Sequence, residues 1–578
     1  MSGDMRSLTV SFLLCMTIVA SAEGDMDAIL RIAGAVSLED MDPDEVERLG
    51  DLLRAPVKVN VATVAELEAS GIFSHFQIAS LVDYRKRHGA VLSYTELSSV
   101  DGFSEGAVTD MRPFIDIDDV PDVGLSKRTS HDLYVRSSGR YDVRPEYAYG
   151  FKYRSGFNAF KLSLSANKDY RSDGNFPSSF SGNLTWNHSK GKVLVGDFNA
   201  RFGQGICLWN ASLNMGLDTP SAYMKKASGI SPAFSFTGSS AMTGVAADYT
   251  SGSWRLSASV AVPGIKDGIP SPDGMKLMPA VNLSRYGSLG AVSVTHYMSV
   301  ADFAEDISAF RIPDMRTSCD ASLCLKGFNV FGEIVYDWIF NKISTLCGTD
   351  YNVGESLRMA ALLKYSPADA FSNEYLAAFC GEYVSGNRRI NSGRFSAEAL
   401  YHPESKSKDG ARCVQVKLKT DWKFMITDRF GLSFRFSERL RTWGQKFRTD
   451  VRFDASYLFG NLELKMRLNA LKCAGLGLLG YVEGIYKSRG LSSCLRSGVF
   501  SIDDWDDRIY VYEHDAPGSF NVPAYYGRGV WVSWYMSWKY ASWGQMCIRA
   551  SWIDYMLMTA EKRKPGRAEL KIQTLFRF

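Results

Sequence analysis

Several groupings in the chain have residue types and spacings that carry chemistry elsewhere. Gly475-Leu476-Gly477-Leu478-Leu479-Gly480 has the G-x-G-x-x-G spacing of a dinucleotide-binding turn. That turn needs a strand before it and a helix after it, because the helix N-terminus holds the pyrophosphate. Here Tyr481 to Lys487 alternates as a strand, so the glycines read as a small-residue strand or bend. Asp503-Asp504-Trp505-Asp506-Asp507 offers oxygens for Ca²⁺, although such a run is more often a solvated loop. His75, His88, His131, His188, His296, His402 and His514 are scattered, and neither H-E-x-x-H nor G-x-S-x-G occurs. Beyond residue 22 the cysteines number nine, an odd count at irregular spacing, with no C-x-x-C pair. A disulfide framework and a zinc site are therefore not expected. No catalytic residue, metal ligand or cofactor is assigned. A surface enzyme assembled across distant strands ranks last among the functions weighed.

Arg6, the apolar run Leu8 to Val19 and Ala20-Ser21-Ala22 form a signal peptide over residues 1–22, with cleavage after Ala22. Cys15 does not make a lipoprotein signal, because Leu14 stands where a small residue is wanted. Past this segment no run of 18 apolar residues occurs, and mean hydropathy is −0.13, so spanning helices are not expected. Residues 23–125 hold 21 Asp+Glu and 8 Lys+Arg, a net of −13. Residues 126–578 hold 41 and 57, a net of +16. The split reads as two separately evolved parts. The other reading has the acidic part docking near a basic periplasmic rim.

Residues 23–56 form an acidic helical lead-in, with Asp42-Pro43-Asp44-Glu45 as a helix start and Pro56 as its stop. Thr63-x-x-Glu66, Ser74-x-x-Gln77 and Ser93-x-x-Glu96 have capping-box spacing. They predict helices near 64–70, 75–88 and 94–99, with another at 105–112. Tight connections at Ser70-Gly71-Ile72-Phe73 and Asp101-Gly102-Phe103-Ser104 pair them into two helical hairpins over residues 57–117.

Val59-Asn60-Val61-Ala62-Thr63, Glu66-Leu67, Gly71-Ile72, Tyr84-Arg85, Gly89, Gly102-Phe103 and Arg112-Pro113-Phe114-Ile115 carry a resemblance. This segment resembles the tandem helix-hairpin-helix fold of the ComEA-type competence DNA receptors. The resemblance implies DNA phosphates held by backbone N–H groups at a Gly-hydrophobic-Gly turn, which places Gly71, Gly102 and Ser104 as candidate contacts. The cluster Arg85-Lys86-Arg87 would add positive charge, or would simply suit a helix C-terminus before Gly89. Two departures weaken the DNA reading. Phe73 and Ser104 replace the second glycines, and residues 57–117 hold five Lys+Arg against eight Asp+Glu. A protein-interaction or plug module is the other reading.

After a linker at 118–130, residues 131–578 read as a barrel. Alternating segments recur at 254–262, 289–298, 328–338, 412–421, 430–440 and 462–471. Val532, Trp534, Met536, Trp538 and Tyr540 share a face, as do Leu570, Ile572, Thr574, Phe576 and Phe578. Phe576 and Phe578 resemble the signal read by the outer-membrane assembly machinery. The fold class is mainly β: a large antiparallel transmembrane barrel of about 22–26 strands, an even number, with a small all-α unit in front. Residues 541–543 are expected as a periplasmic turn and 557–566 as an outside loop. The Gly/Ser-rich stretch Gly203 to Gly244 is expected to fold into the lumen.

Gly196-Asp197-Phe198, Arg201-Phe202-Gly203-Gln204-Gly205 and Gly229-Ile230-x-Pro232 resemble a family of Bacteroidetes outer-membrane proteins that join such a tandem to a barrel. The resemblance implies outer-membrane localisation, a periplasmic N-terminal part, and lipid and the assembly machinery as partners. The leading function is a non-enzymatic barrel for transport, secretion or envelope assembly, with a possible periplasmic protein partner. Nucleic-acid binding or uptake is the alternative.

Overall fold

The computed structural model describes residues 24–117, 129–172, 174–210, 216–236, 241–262, 277–287, 289–301, 311–325, 328–354, 356–367, 373–385, 391–403, 413–556, 558 and 564–578. The signal segment with Ala22, and most of the linker, lie outside these residues.

Helices α1 (Gly24–Ala33), α2 (Pro43–Arg54), α3 (Val64–Ala69), α4 (His75–His88), α5 (Tyr94–Leu97) and α6 (Glu105–Met111) form the N-terminal unit. Their starts follow from side-chain caps. Asp42 accepts from the Asp44 N–H, and Thr63 and Ser74 each complete a reciprocal box with Glu66 and Gln77. Such caps contribute about 1 kcal/mol each. Helix α5 stops at Leu97, two residues short of the expected end, because Ser98 and Ser99 turn their hydroxyls back onto the Thr95 and Glu96 carbonyls. Val57–Lys58 pairs in parallel with Ile115–Asp116, tying the two ends of the hairpin pair together. Ile29, Leu49, Leu67, Phe73, Leu81, Phe103 and Phe114 pack as one apolar core.

Behind this unit, 24 strands close into an antiparallel barrel. Each strand pairs with its sequence neighbours, and Arg567–Arg577 pairs with Ser130–Tyr141 to shut the ring. A short segment, Gly229–Pro232, adds to the Arg201 end of Gly191–Arg201. The side-chain period of two sorts the faces. Along Trp254–Val262, Leu256 and Val260 are exposed, whereas Arg255, Ser257 and Ser259 are buried towards the lumen. Two-residue turns at 158–159, 189–190, 252–253, 428–429, 460–461, 489–490 and 542–543 mark one end, where the barrel's own first and last residues also lie. The long connections 202–241 and 503–526 mark the other. Short turns belong at the periplasmic end of an outer-membrane barrel and long loops outside. Trp538, Tyr540, Trp543, Phe576 and Phe578 form an aromatic cluster at the short-turn end, the place of an interfacial girdle. The chain therefore spans an outer membrane.

In strand Gly527–Ala541, Val532 and Trp538 point outward while Ser533 is buried within, and Gln545 reaches Ser537 across the inner face. Trp534, midway along this strand, shares the outward face. Replacing Trp534 by Arg is expected to destabilise the barrel by about 2–4 kcal/mol, the cost of a cation at the bilayer midplane. Urea titration in lipid vesicles measures it. A change below about 0.5 kcal/mol would place Trp534 off the lipid face.

Candidate functional site

The helical unit lies inside the lumen, where Asp51, Glu68 and Glu39 meet the inward-facing Arg154, Arg255 and Arg467 of the wall. The glycine motifs of the barrel explain how the rest of the bore is shaped. Strand Gly191–Arg201 parts from its neighbour at Gly196, whose φ is +109° and where a Cβ would lie 2.2 Å from the Gly182 carbonyl oxygen. Asp197 caps the parted edge: its carboxylate accepts from the Gly182 N–H at 2.8 Å and from the Thr243 hydroxyl at 2.5 Å. Beyond Arg201 the described residues turn inward, as expected, but the stretch ends sooner than Gly244: strand Met242–Ser251 is already back in the wall, and residues 211–215 and 237–240 lie outside the described ones. Gly203 (φ +65°) lets the Gln204, Ile206 and Cys207 amides converge on the Glu333 carboxylate at 2.8, 3.1 and 3.2 Å. This is an anion nest filled by a side chain from the facing wall. Tyr223, further along the loop, packs against Phe331, Leu346 and Cys380. The infolded loop then touches the helical unit. The Thr219 hydroxyl donates to the Gly34 carbonyl, Lys226 reaches the Ile32 carbonyl at 3.4 Å, and Ser235 donates to Asp44 at 2.7 Å.

Most of the contact between helical unit and wall is ionic. Asp51 pairs with Arg154 at 2.8 Å, and Glu47 pairs with Lys152. Glu45 lies 3.6 Å from Arg201, and Asp40 is 3.7 Å from both Lys419 and Arg435. Glu39 accepts from Arg467 at 2.7 Å, from Arg452 at 3.5 Å and from the Tyr512 N–H at 3.2 Å. Glu68 pairs with Arg255, which also binds Asp248 at 2.7 Å, and His75 approaches Glu68 at 3.2 Å. The acidic unit and basic barrel are therefore partners. They meet near the periplasmic rim, where Lys161 lies 3.6 Å from Glu66 and Arg255 pairs with Glu68. They also meet further inside, at Glu39 and Asp40, so the reading as two separate parts gives way to the docking one. Burial alone would raise the Glu39 carboxyl, yet Arg452, Ser37 and Arg435 hold it down to about 2. Glu45 is likewise held at about 2 against burial, by Arg48, Arg201 and Lys226. Burial lowers the Lys226 ammonium to about 8, with Arg358 and Arg48 adding repulsion.

The candidate phosphate contacts occupy varied surroundings. Gly71 (φ +65°) lies under the Arg48 guanidinium, which donates to the Ser70 carbonyl. Phe73 is no obstacle at the hairpin surface; it turns inward, 1% exposed, edge-on to Phe103. Gly102 packs on Phe76, and the Ser104 hydroxyl accepts from the Ala107 N–H at 3.2 Å as the cap of α6. This second turn borders a cavity of about 460 Å³ between the helical unit and the wall. Arg85 donates to the Ala62 and Val59 carbonyls at 2.8 and 3.3 Å. Lys86 and Arg87 are exposed, with Arg87 pairing with Asp83 at 3.0 Å.

Three other groupings resolve into structure. Asp507 accepts from the Cys473 and Gly475 amides at 2.7 and 2.6 Å, and Asp503 pairs with Arg528, so the acidic run braces the outer rim. Gly477 and Gly480 lie within strand Leu476–Ser488, as the alternation predicts. Among the described residues, Glu483, Cys494 and His514 come together with metal-like spacing. Arg496 already donates to Glu483 from two nitrogens, at 2.7 and 3.0 Å, and a guanidinium there repels a metal cation. Among the described residues the nine cysteines form no disulfide.

No protein-family model matches the chain, and no curated protein matches it. Among solved structures it is similar to the siderophore receptor PirA from Pseudomonas aeruginosa, with 10% identity, a TM-score of 0.41, and coverage of 78% of this chain and 81% of that one. It is also similar to the copper transporter OprC, with 9% identity, a TM-score of 0.40, and 77% and 80% coverage. The P pilus usher PapC translocation pore follows, with 8% identity, a TM-score of 0.30, and 78% and 99% coverage. Neither family nor function follows from likeness at this level.

Proposed function

We propose that the chain is a non-enzymatic outer-membrane conduit for transport, closed by its own acidic plug. One observation carries the reading. The apolar core of the helical unit is drawn from its own residues, and among the described hydrophobic residues packed against it only Phe520 comes from the barrel side. Contact with the wall is instead made by charged and polar pairs. A plug held this way can shift without exposing an apolar face to water, whereas apolar packing would cost about 25 cal/mol per Å² uncovered. The helix-hairpin-helix scaffold, on this reading, serves as a stopper. Gly71 lies beneath Arg48, Arg85 is engaged with carbonyls, and the local charge is negative, so nucleic-acid uptake is the weaker reading. The exposed end of α4, with Lys86, Arg87 and His88, is the surface offered to a periplasmic protein partner.

Single-channel conductance in planar bilayers tests this. The full chain is expected to be closed or to pass only small steps. A chain lacking residues 24–117 should give steps at least tenfold larger, as befits an emptied lumen of 24 strands. Equal conductance from both would show that the helical unit does not seal the pore.

A further inference from the structure

On the outer side of the plug, between the Glu39-Asp40 turn and the 503–526 loop, lies a cavity of about 140 Å³. Five arginines line it: Arg435, Arg448, Arg452, Arg467 and Arg508. The carboxylates in its lining are Glu39, Asp40 and Asp450. Asp421 and Asp454 brace three of the arginines: Asp421 takes Arg435 at 2.6 Å, and Asp454 takes Arg452 and Arg467 at 2.8 and 2.6 Å. Each guanidinium carries five N–H donors, so bracing leaves donors turned towards the cavity. Arg448 reaches the Asp506 carbonyl at 3.3 Å. Arg508 engages the Trp505 carbonyl at 2.9 Å and the Tyr510 hydroxyl at 2.8 Å, with the Asp506 carboxylate only at 4.0 Å. Its side chain is 25% exposed, at the outer mouth.

The plug's Glu39 sits in this cage as a ligand would. Two guanidiniums and one backbone N–H converge on its carboxylate. Guanidinium forks match the planar or tetrahedral oxygens of carboxylate and phosphate. A cavity of this size holds one such group and little more.

We propose that the arginine-lined cavity is a binding site for a compact oxyanion, phosphate-like in charge and size, which enters past Arg508 and Arg448 and displaces Glu39 from Arg452 and Arg467. Glu39 is then an intrachain stand-in, and the incoming anion loosens the turn that joins α1 to α2. The displacement step rests on the plug reading above. Anion binding is measured without conductance, so failure of one does not imitate failure of the other.

The test is isothermal titration of the full chain in detergent with inorganic phosphate and, separately, with a sugar phosphate. Saturable binding of either, weakened at least tenfold by Arg508→Gln and by Arg448→Gln, is expected. Tighter binding of inorganic phosphate would mark a free ion as the source, and tighter binding of the ester a phosphate carried on a larger solute. Glu39→Gln should tighten binding by about threefold or more, since it removes the internal competitor. A merely structural glutamate would not do this. Thermal melting of each variant confirms that it is folded, and the partly exposed Arg508 keeps one variant clear of the packed interior. Absence of saturable binding, or binding indifferent to Arg508→Gln, would overturn the site. Unchanged affinity in Glu39→Gln would overturn the displacement.

Discussion

Replacing Arg255 by alanine is expected to destabilise the seated plug by about 3–5 kcal/mol, the cost of stranding a buried charge partner. Arg255 is 1% exposed and stands between Glu68 of the plug and Asp248 of the wall. Asp248 keeps Lys192 at 3.3 Å, so the larger share of the loss falls on Glu68, itself 3% exposed. A carboxylate left there keeps the Tyr286 hydroxyl at 3.3 Å and His75 at 3.2 Å, but no guanidinium to balance its charge. Hydrogen exchange in residues 57–117 is the sensitive readout, because α3 and α4 should open well before the barrel does. The double variant Arg255→Met with Glu68→Gln should recover much of the loss, since no lone charge remains. Exchange unchanged in Arg255→Ala would mean that this pair does not hold the plug.

Acid should unseat the plug late and steeply. Glu39 and Glu45 are held at about 2 in the seated state, against an ordinary value of 4.5. Their pKa values are depressed, so the stabilisation they give is full above about pH 4.5 and fades as pH falls towards 2. A displacement of this size corresponds to at most about 3.5 kcal/mol per group. Conductance of the full chain is therefore expected to stay low at pH 6 and to rise between about pH 4 and pH 2. The double variant Glu39→Gln with Glu45→Gln should lack that step and leak already at pH 6. Opening of the wild-type chain near pH 6 would assign the response to other groups.

Much of the fold is written locally. The alternation that sets Leu256 and Val260 against Arg255 and Ser257 needs only the strand itself, and the boxes at Thr63 and Ser74 need only three residues. The candidate site is of another kind. Glu39 and Arg467 lie 428 positions apart, and no periodic pattern links them. Opposite charge on the two parts was visible, but charge at a surface is a poor guide to docking, and only the closed lumen removes the water that weakens such pairs. Phe73 was legible as a departure from glycine, not as a core residue, because its neighbour Phe103 comes from the other hairpin. The motif glycines stood out for their spacing. What they do became readable once Gly203 could be seen presenting three amides to Glu333 on another strand.

The self-contained apolar core of the helical unit also bears on biogenesis. A unit whose apolar core takes little but Phe520 from the barrel side can fold in the periplasm while the strands are still unpaired. The ring closes only when Arg567–Arg577, the last strand in the chain, meets Ser130–Tyr141, the strand that follows the helical unit. On that order of events the barrel would wrap around a finished insert, and the acidic side chains would serve as a template on which the arginine-bearing strands line up. Errors of strand register would show first as mismatched charge in the lumen, before any defect appeared on the lipid face.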